Sequence, residues 1–297
     1  MRATVPTSLN CGVFVPNFGP FGDIDALVDL ARESEAAGWD GFFVWDHILF
    51  DQQTPRDVAD PWITLAAVAA ATSRIRLGAL ITPLARRRPW KVARETTTLD
   101  RLSKGRLIFG AGLGAPPEAE FAAFGEDADA RVRAAKLDEA LAILVGLWSG
   151  EDFAFAGTHH HLKTMRFLPR PIQTPHPPVW VAGWWPNKPP FRRAAHWDGI
   201  FAETVGGATP TPEELVELLT YIKDHRSAAG PFDVVLGGVT SSSGREAERT
   251  VAPFVAAGLT WWLERIDPKH RFTVKAARTR VAAGPPRVPS VSTGVEK

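Results

Sequence analysis

Short apolar runs alternate with longer amphipathic segments along most of the chain. Residues 9–16 form the first apolar run and predict a strand, and 23–38 predict a helix that ends at Gly38. Seven further apolar runs predict strands two to eight, at 41–47, 75–82, 105–112, 178–183, 198–203, 232–240 and 259–264. Helical periodicity fills the intervals, which predicts repeated parallel βαβ units.

Helix starts and one irregular segment complete this organisation. Asp60 and Thr211 each precede a proline, the pattern of an N-cap followed by proline in the first turn. After the first, the predicted helices lie at 60–73, 89–102, 131–148, 191–197, 212–229, 245–257 and 268–278. Residues 149–178 break the rhythm with a predicted hairpin, which turns at Gly157, and a proline-rich stretch. They predict an insertion between the fourth helix and the fifth strand.

The predicted fold class is α/β, a closed (β/α)8 TIM barrel with one small insertion. Eight repeats without a break favour a closed barrel over an open doubly wound sheet, and strands that are apolar on both faces fit a sheet covered by helices. We expect one barrel domain over residues 1–280. The tail 281–297 is rich in Pro, Ser and Gly and is predicted to be disordered.

Composition argues against several classes of function. The 297 residues carry 34 Lys and Arg against 33 Asp and Glu, so bulk charge favours no nucleic-acid or membrane-surface partner. A single cysteine allows no intrachain disulfide and fits a reducing compartment. The N-terminal residues lack the apolar segment of a signal peptide, and no apolar run reaches the roughly 18 residues of a membrane span. We expect a soluble, cytoplasmic protein.

Candidate chemistry lies where predicted strands end, because active sites of such barrels lie at the C-terminal ends of their strands. The second strand, GFFVWDH, ends in Asp46 and His47. An imidazole titrates near neutral pH and can hold or donate a proton beside a bound molecule. The alternative is that His47 only caps the strand. Glu203, at the end of strand six, is a weaker acid–base candidate.

Three other segments could bind a ligand. The glycine-rich stretch GAGLG after strand four allows close backbone approach, or is simply a tight turn. Lys188 and the predicted helix start after strand five could form a phosphate cradle. Arg86–88 could meet an anionic cofactor tail, or lie in a solvated loop. The adjacent histidines 159–161 alternate in direction along a hairpin, so we predict no metal site there.

Four segments together resemble the bacterial-luciferase-like superfamily of flavin and deazaflavin oxidoreductases, over about 9–278. They are GWDGFFVWDH, IRLGALITPLARRRPWKVARETTTLDRLSKGRLIFGAGLG, FLPRPIQTPHPPVWVAGWWPNKPPFRRAAHWDG and GLTWWLE. The resemblance implies a (β/α)8 barrel with the cofactor at its C-terminal mouth. In the branch that uses the deazaflavin coenzyme F420, strand two ends in a similar Asp-His pair. F420 is therefore the favoured cofactor, and FMN is the alternative.

The resemblance also implies roles for individual residues. A bulge in strand three, with a non-proline cis peptide between Leu80 and Ile81, would back the cofactor ring. The implied cofactor-binding residues are Leu80, Ile81, Thr82, Gly112, Gly114, Ala182, Gly183, Trp184 and Lys188. Trp45, Trp185 and Glu203 would contact the substrate. Sugar-phosphate dehydrogenases of the superfamily carry a glutamate where this chain has Leu113, which argues against that activity.

The predicted function is hydride transfer between F420 and a small, partly hydrophobic organic substrate. His47 would handle the companion proton, and Asp46 would orient His47 or contact the polar edge of the ring. The alternatives are an FMN-dependent monooxygenase and a non-catalytic flavin- or deazaflavin-binding protein. A barrel hydrolase or isomerase would need a carboxylate pair or metal ligands at strand ends. We expect a homodimer with no nucleic-acid or membrane partner.

Overall fold

The computed structural model describes residues 9–228, 230–266 and 273–288. The helices of these residues are α1 (Ile24–Ala36), α2 (Pro61–Ala71), α3 (Pro89–Leu102), α4 (Pro117–Glu120), α5 (Ala130–Trp148), α6 (Lys188–Ala194), α7 (Pro212–His225), α8 (Gly244–Ala256) and α9 (Val274–Ala282). The strands are β1 (Asn10–Val15), β2 (Gly41–Val44), β3 (Arg76–Ala79), β4 (Thr82–Pro83), β5 (Phe109–Gly112), β6 (Asp152–Ala156), β7 (His161–Arg166), β8 (Val179–Trp185), β9 (Gly199–Thr204), β10 (Asp233–Gly238) and β11 (Trp261–Arg265).

Nine of the eleven strands in the described residues belong to one mostly parallel sheet, whereas β6 and β7 pair separately as an antiparallel hairpin. β3 and β4 are two halves of the predicted third strand, which leaves eight barrel strands in the predicted order. The hairpin lies between α5 and β8, and the Gly157 N–H donates to the His160 carbonyl in its turn. The prediction of a (β/α)8 barrel with a small insertion is confirmed.

The chain divides into two compact units. The first contains the described residues of 1–14, 33–42 and 180–297. Its strands lie side by side in the order β1, β11, β10, β9, β8 and are all parallel, with Gly12 opposite Leu263. The indoles of Trp180 and Trp262 are buried in its core, and Trp180 Nε1 donates to Asp233 at 2.9 Å.

The second unit contains residues 15–32 and 43–179. The Trp45 N–H donates to the Val15 carbonyl at 3.0 Å, and the Leu80 N–H donates to the Val44 carbonyl at 2.8 Å. β4 pairs with β5 in parallel, with Thr82 opposite Ala111. These bonds place the ends of β1, β2 and the third strand next to one another, so side chains from separate stretches of sequence meet there.

Local signals at the helix starts are confirmed. The Asp60 carboxylate accepts the Ile63 N–H at 2.8 Å as the N-cap of α2. Thr211 and Glu214 form a reciprocal capping box at the start of α7. Helix α3 begins at Pro89 and ends at Leu102, the predicted bounds. Proline at the first helical position lacks only an N–H that would have no partner there, so it marks such starts well.

The second strand is shorter than predicted. β2 ends at Val44, and Trp45, Asp46 and His47 follow it. The physical reason is that the Asn17 side chain replaces a strand neighbour. Its amide donates to the His47 carbonyl at 2.9 Å and accepts the His47 N–H at 3.3 Å. Backbone groups that a longer strand would bond to its neighbour are thereby satisfied.

Other boundaries also differ from prediction. Strand four begins at Phe109 rather than 105, helix α6 begins at Lys188 rather than 191, and α4 was not predicted. Helix α9 ends at Ala282, beyond the predicted domain end at 280. Val281 and Pro286, which fall in the predicted tail, are buried, and the Pro286 carbonyl accepts the Cys11 thiol at 3.7 Å. Residues 289–297 and the predicted helix start at 268–272 lie outside the described residues.

Within the described residues, no helix combines the length and the hydropathy that a membrane crossing requires.

Candidate active site

His47 is held by its backbone and surrounded by aromatic rings. Asn17 fixes both of its backbone polar groups. Its imidazole lies 5.5 Å from the Phe18 ring, 5.7 Å from the Trp45 indole and 4.9 Å from the Phe50 ring, measured between centroids. The side chain is 13% exposed. Nε2 makes no hydrogen bond to any residue that the structure describes, so this ring nitrogen is available to a bound molecule.

The other imidazole nitrogen faces Glu120, a residue that sequence reasoning missed. His47 Nδ1 lies 3.3 Å from Glu120 Oε1, an ion-pair contact whose geometry does not meet that of a hydrogen bond. The glutamate side chain is fully buried at the end of α4. It also accepts three consecutive backbone N–H groups, from Ile48 at 3.1 Å, Leu49 at 3.1 Å and Phe50 at 2.6 Å. One carboxylate thus contacts the imidazole and orders the loop that follows it.

Phe50 has an unusual backbone conformation in this loop. Its φ is +66°, in the left-handed region that residues with a side chain rarely adopt. Its N–H is held by Glu120, and its ring stacks on Phe18 at 4.1 Å between centroids. Such conformations persist only where the surroundings enforce them, and here the carboxylate and the stacked ring do so.

Asp46 is predicted to orient His47 or to contact the polar edge of the cofactor ring, and no hydrogen bond joins its carboxylate to the His47 imidazole. Its carboxylate is buried and accepts hydrogen bonds from Arg86 at 2.9 Å and from Arg87 at 2.7 Å. Arg86 also pairs with Glu120. The arginine run is therefore neither a solvated loop nor a set of free cations at 86 and 87. Arg88 differs from both, because its guanidinium lies 5.7 Å from the Trp90 ring centroid.

The four charges of this cluster, Asp46, Glu120, Arg86 and Arg87, sum to zero. Burial alone would raise the pKa of Glu120, but the contact with His47, the charge of Arg86 and the Phe50 N–H lower it to about 2. Burial alone would lower the pKa of Arg87, but the charge of Asp46 raises it above its usual value. The Glu120 carboxylate and the Arg87 guanidinium therefore both stay ionised at neutral pH.

The predicted cofactor residues Leu80, Ile81 and Thr82 of the second unit lie at the break between β3 and β4. The Leu80–Ile81 peptide is cis, as the resemblance implied. Thr82 is fully buried, and its hydroxyl has no hydrogen-bond partner among the described residues. Gly112 lies in β5, opposite Pro83.

Gly114 has a packing explanation of its own. Its φ is +78°, and a Cβ there would lie 2.8 Å from that of Pro83. Its carbonyl accepts a hydrogen bond from the Arg133 guanidinium at 2.9 Å, as does the Leu113 carbonyl at 3.0 Å. The loop itself thus requires this glycine and is fastened by Arg133.

In the first unit, Ala182, Gly183 and Trp184 lie in β8. A Cβ on Gly183 would lie 2.7 Å from that of Pro190, so close packing of α6 on β8 requires this glycine. Trp184 is 40% exposed, and its Nε1 donates to Glu203 at 3.1 Å. Glu203 also pairs with Arg265. These side chains form a second polar cluster at the ends of β8, β9 and β11.

Trp185 points to the opposite side from Trp184. It is 6% exposed, and its ring lies 5.1 Å from the Phe191 ring. The Lys188 ammonium lies 3.5 Å from the Trp185 ring centroid and 4.6 Å from that of Tyr221. Trp185 is thus enclosed by α6 and α7, and the predicted substrate contact fits Trp184 better. Lys188 is engaged in a cation–π contact.

A cavity of about 370 Å³ also lies in the first unit, at the ends of β9, β10 and β11. It is lined by Gly206, Gly207, Ala208, Thr209, Gly238, Val239 and Arg265. The histidine run 159–161 lies elsewhere, in the hairpin, where His160 Nδ1 contacts Glu139 at 3.1 Å. Over the described ranges, no group of three or more His, Cys, Asp or Glu side chains is placed to hold a metal ion.

Comparison with known proteins gives these features a context. The family model described as luciferase-like monooxygenase matches residues 9–286. The F420-dependent hydroxymycolic acid dehydrogenase of Mycobacterium tuberculosis is 33% identical over 159 residues, which are 53% of this chain and 43% of that protein. The matched stretches span between 43% and 60% of the first curated relatives' lengths.

Two solved structures share the fold. An F420-dependent secondary alcohol dehydrogenase with an F420–acetone adduct aligns with a TM-score of 0.74 and 17% identity, over 93% of this chain and 99% of its own. The oxygenating constituent of 3,6-diketocamphane monooxygenase from Pseudomonas putida, in complex with FMN, aligns with a TM-score of 0.64 and 19% identity, over 82% and 71%. Proteins of this fold therefore include one with F420 and one with FMN.

Proposed function

We propose, from the premise that the chain belongs to the luciferase-like monooxygenase family, that it is an oxidoreductase that transfers a hydride between F420 and a small, partly hydrophobic organic molecule. The observation that carries the proposal is the arrangement at His47. Nδ1 lies 3.3 Å from a buried carboxylate, Nε2 makes no hydrogen bond to a described residue, and aromatic rings surround the imidazole. This is the environment of a side chain that exchanges a proton with a bound molecule.

The residues of the second unit fit a flat polar cofactor. The Thr82 hydroxyl is buried without a partner in the described residues, and buried polar groups normally have one. A ring with carbonyl oxygens and N–H groups would satisfy it. Leu80, Ile81, Thr82 and Gly112 are the residues of this unit that would hold such a ring. Ala182, Gly183, Trp184 and Lys188 stay predicted cofactor contacts of the first unit.

A deazaflavin held by these residues would supply a carbon that gives or accepts a hydride, and the protein would supply binding and electrostatics. His47 would exchange the companion proton at Nε2. Glu120, ionised and buried, would stabilise the imidazolium that forms when Nε2 gains a proton. Trp45 and the rings around His47 would keep water away and favour an apolar substrate.

A second candidate function is that of an FMN-dependent monooxygenase. The preference for F420 rests on the Asp46–His47 pair, and the Asp46 carboxylate is bound by Arg86 and Arg87. Because this carboxylate is already engaged by arginines, it no longer supports F420 over FMN. FMN is therefore a stronger alternative than the Asp-His pattern of the sequence suggests. The third alternative, a non-catalytic flavin- or deazaflavin-binding protein, predicts the same binding without turnover.

The decisive experiment is an equilibrium titration of the apoprotein with F420 and, separately, with FMN, followed by absorbance and by quenching of tryptophan fluorescence. We expect saturable F420 binding at least about tenfold tighter than FMN binding, a free-energy difference of about 1.4 kcal/mol. The reverse order would replace F420 with FMN in the proposal. Binding of neither would overturn it.

We further propose that the protein is a cytoplasmic homodimer that binds a small-molecule substrate and no nucleic acid. The balanced charge supports the absence of a nucleic-acid partner, and the single cysteine supports a reducing compartment. Light scattering during size-exclusion chromatography measures the oligomeric state directly, and a monomeric mass would contradict the dimer.

A further inference from the structure

We infer that Glu120 is a positioning residue for His47, which holds the proton of the neutral imidazole on Nδ1 and thereby presents Nε2 as the nitrogen that accepts a proton. The inference rests on the proposed function only for the role of His47 as a proton carrier. The geometry of the pair stands independently of the cofactor.

The first argument is the chemistry of the two groups. Glu120 is fully buried beside Arg86, and the carboxylate accepts N–H groups only, which is the behaviour of an ionised acid. An ionised carboxylate has no proton to donate, so a favourable contact with Nδ1 requires the proton to be on Nδ1. A neutral imidazole carries one N–H, and Nε2 is then the bare nitrogen.

The second argument is that few other groups could do this. Asp46, the neighbouring acid in sequence, is bound by Arg86 and Arg87. Leu113 stands where related sugar-phosphate dehydrogenases are expected to carry an acid. Among the described residues, Glu120 is the carboxylate in ion-pair contact with His47.

The third argument is the coupling of the imidazole to the loop that follows it. Glu120 accepts the N–H groups of 48–50, and the Phe50 ring stacks on Phe18. The Phe18 and Phe50 rings in turn contact the His47 ring edge to face. The orientation of the imidazole and the path of the loop thus depend on the same carboxylate.

The chain offers a matched control for this arrangement. In the hairpin, Glu139 accepts the N–H groups of Thr158, His159 and His160, between 2.6 and 3.1 Å. It also contacts His160 Nδ1 at 3.1 Å. A Glu139→Gln variant removes the same kind of charge from the same kind of contacts, at a place that the proposed function does not use.

The first measurement is made on the unaltered protein, and a variant is needed only to assign the signals. In the ¹⁵N-labelled apoprotein, long-range ¹H–¹⁵N correlation spectra at about pH 8, where imidazoles are largely neutral, report which ring nitrogen carries the proton. The signals of His47 are identified by their loss in His47→Gln. We expect the Nδ1–H tautomer at His47. The Nε2–H tautomer in the unaltered protein would overturn the inference.

The second measurement compares Glu120→Gln with Glu139→Gln. We expect Glu120→Gln to shift His47 towards the Nε2–H tautomer and to speed amide hydrogen exchange of 48–50 by about tenfold or more, since charged hydrogen bonds are lost. Glu139→Gln should speed exchange of 158–160 and leave the His47 spectrum unchanged. Faster exchange at 48–50 with an unaltered tautomer would reduce Glu120 to a loop anchor and overturn its role at His47.

These spectra are recorded on the apoprotein, so a result that contradicts the inference is distinct from one that contradicts the proposed function. An Nε2–H tautomer together with tight F420 binding would contradict the inference and leave the function in place. An Nδ1–H tautomer together with binding of neither cofactor would do the opposite. If Glu120→Gln does not fold, the spectrum of the unaltered protein decides the question.

Discussion

Asp46 and His47 are adjacent in sequence but have opposite environments. Asp46 is 3% exposed, and two guanidinium groups occupy its carboxylate. His47 keeps one ring nitrogen without a partner in the described residues. The Asp46 carboxylate is thus engaged by arginines, and the imidazole is the member of the pair that the proposed function uses for proton exchange.

At this scale we expect His47→Gln to retain F420 affinity within about twofold and to lower turnover by about 100-fold or more, the usual contribution of a general acid or base. Binding persists because the aromatic rings and Thr82 remain. The measurement is single-turnover reduction of bound cofactor by a panel of small alcohols and, in the reverse direction, oxidation of the reduced cofactor by the matching aldehydes. His160→Gln, a histidine in the same kind of carboxylate contact, is the control and should retain turnover. Full turnover in His47→Gln would contradict its role.

A second prediction at the residue scale concerns Gly183. Because a Cβ there would meet Pro190 at 2.7 Å, we expect Gly183→Ala to destabilise the apoprotein by about 1–3 kcal/mol, the usual cost of overpacking. Gly244→Ala, at the open start of α8, is the control and should be neutral or slightly stabilising. Urea unfolding of the apoprotein measures both. A Gly183→Ala protein that is equally stable and binds cofactor more weakly would favour a ligand contact instead.

At the scale of elements, one arginine connects three parts of the second unit. Arg86 lies in the single 3₁₀ turn after β4, and it binds Asp46 after β2 and Glu120 at the end of α4. It also lies 5.7 Å from the Phe121 ring centroid. The positions of two strand ends and one short helix therefore depend on the same guanidinium.

We expect Arg86→Met to lower the free energy of unfolding by about 3–5 kcal/mol, because it leaves the buried Glu120 carboxylate without its arginine and leaves Asp46 with Arg87 alone. Lys91→Met removes a partner of Glu95 on the exposed face of α3, where ion pairs contribute less than about 1 kcal/mol. Urea unfolding of the two variants gives the comparison. Equal losses would mean that the buried cluster is no stronger than a surface pair.

The elements also show what local sequence can and cannot determine. Helix α3 was predictable to the residue, because Pro89 marks its start and its apolar positions repeat at helical spacing. β2 was predicted too long, because Trp45 favours a strand by composition, whereas the Asn17 amide that ends the strand comes from a distant position. Arg86 was ambiguous for the same reason, since nothing near it in sequence indicates that Asp46 and Glu120 lie beside it.

Glu120 was missed although a signal existed. It lies between Ala119 and Phe121, both buried, in the short triplet AEF after the glycine-rich loop. Glu118, two positions earlier, is the same residue type but is exposed. The two acids therefore differ only in what packs against them. A charged residue between two apolar residues indicates that its charge has a buried partner. The glycine-rich stretch just before this triplet was the more conspicuous feature of the segment.

At the scale of the whole molecule, carboxylates with lowered pKa make stability depend on acidity. The folded-state pKa of Glu120 is about 2, against 4.5 for an ordinary glutamate, so the folded state binds its proton less readily than the unfolded state. Its contribution is complete above about pH 4.5 and is lost as the pH falls towards 2. The pKa values of Glu139 and Asp129 are lowered as well, because both carboxylates accept backbone N–H groups.

We therefore expect the free energy of unfolding to fall steeply between about pH 5 and 2, with Glu120 contributing up to about 3 kcal/mol before solvent screening is considered. Urea unfolding followed by tryptophan fluorescence at several pH values gives the slope. The slope should be shallower in Glu120→Gln, and a parallel curve would show that Glu120 is not the group involved.

The contact between the first strand and the C-terminal segment has a practical consequence. Trp39 Nε1 donates to the Val281 carbonyl at 3.0 Å, and the Cys11 thiol donates to the Pro286 carbonyl. Burial raises the pKa of Cys11 well above its usual range, so the thiol is protected from alkylation while this segment is docked. Since Cys11 is the only cysteine, its labelling rate reports how often residues 281–286 detach. A time course of Cys11 alkylation in the native protein would therefore measure the opening of the C-terminal segment.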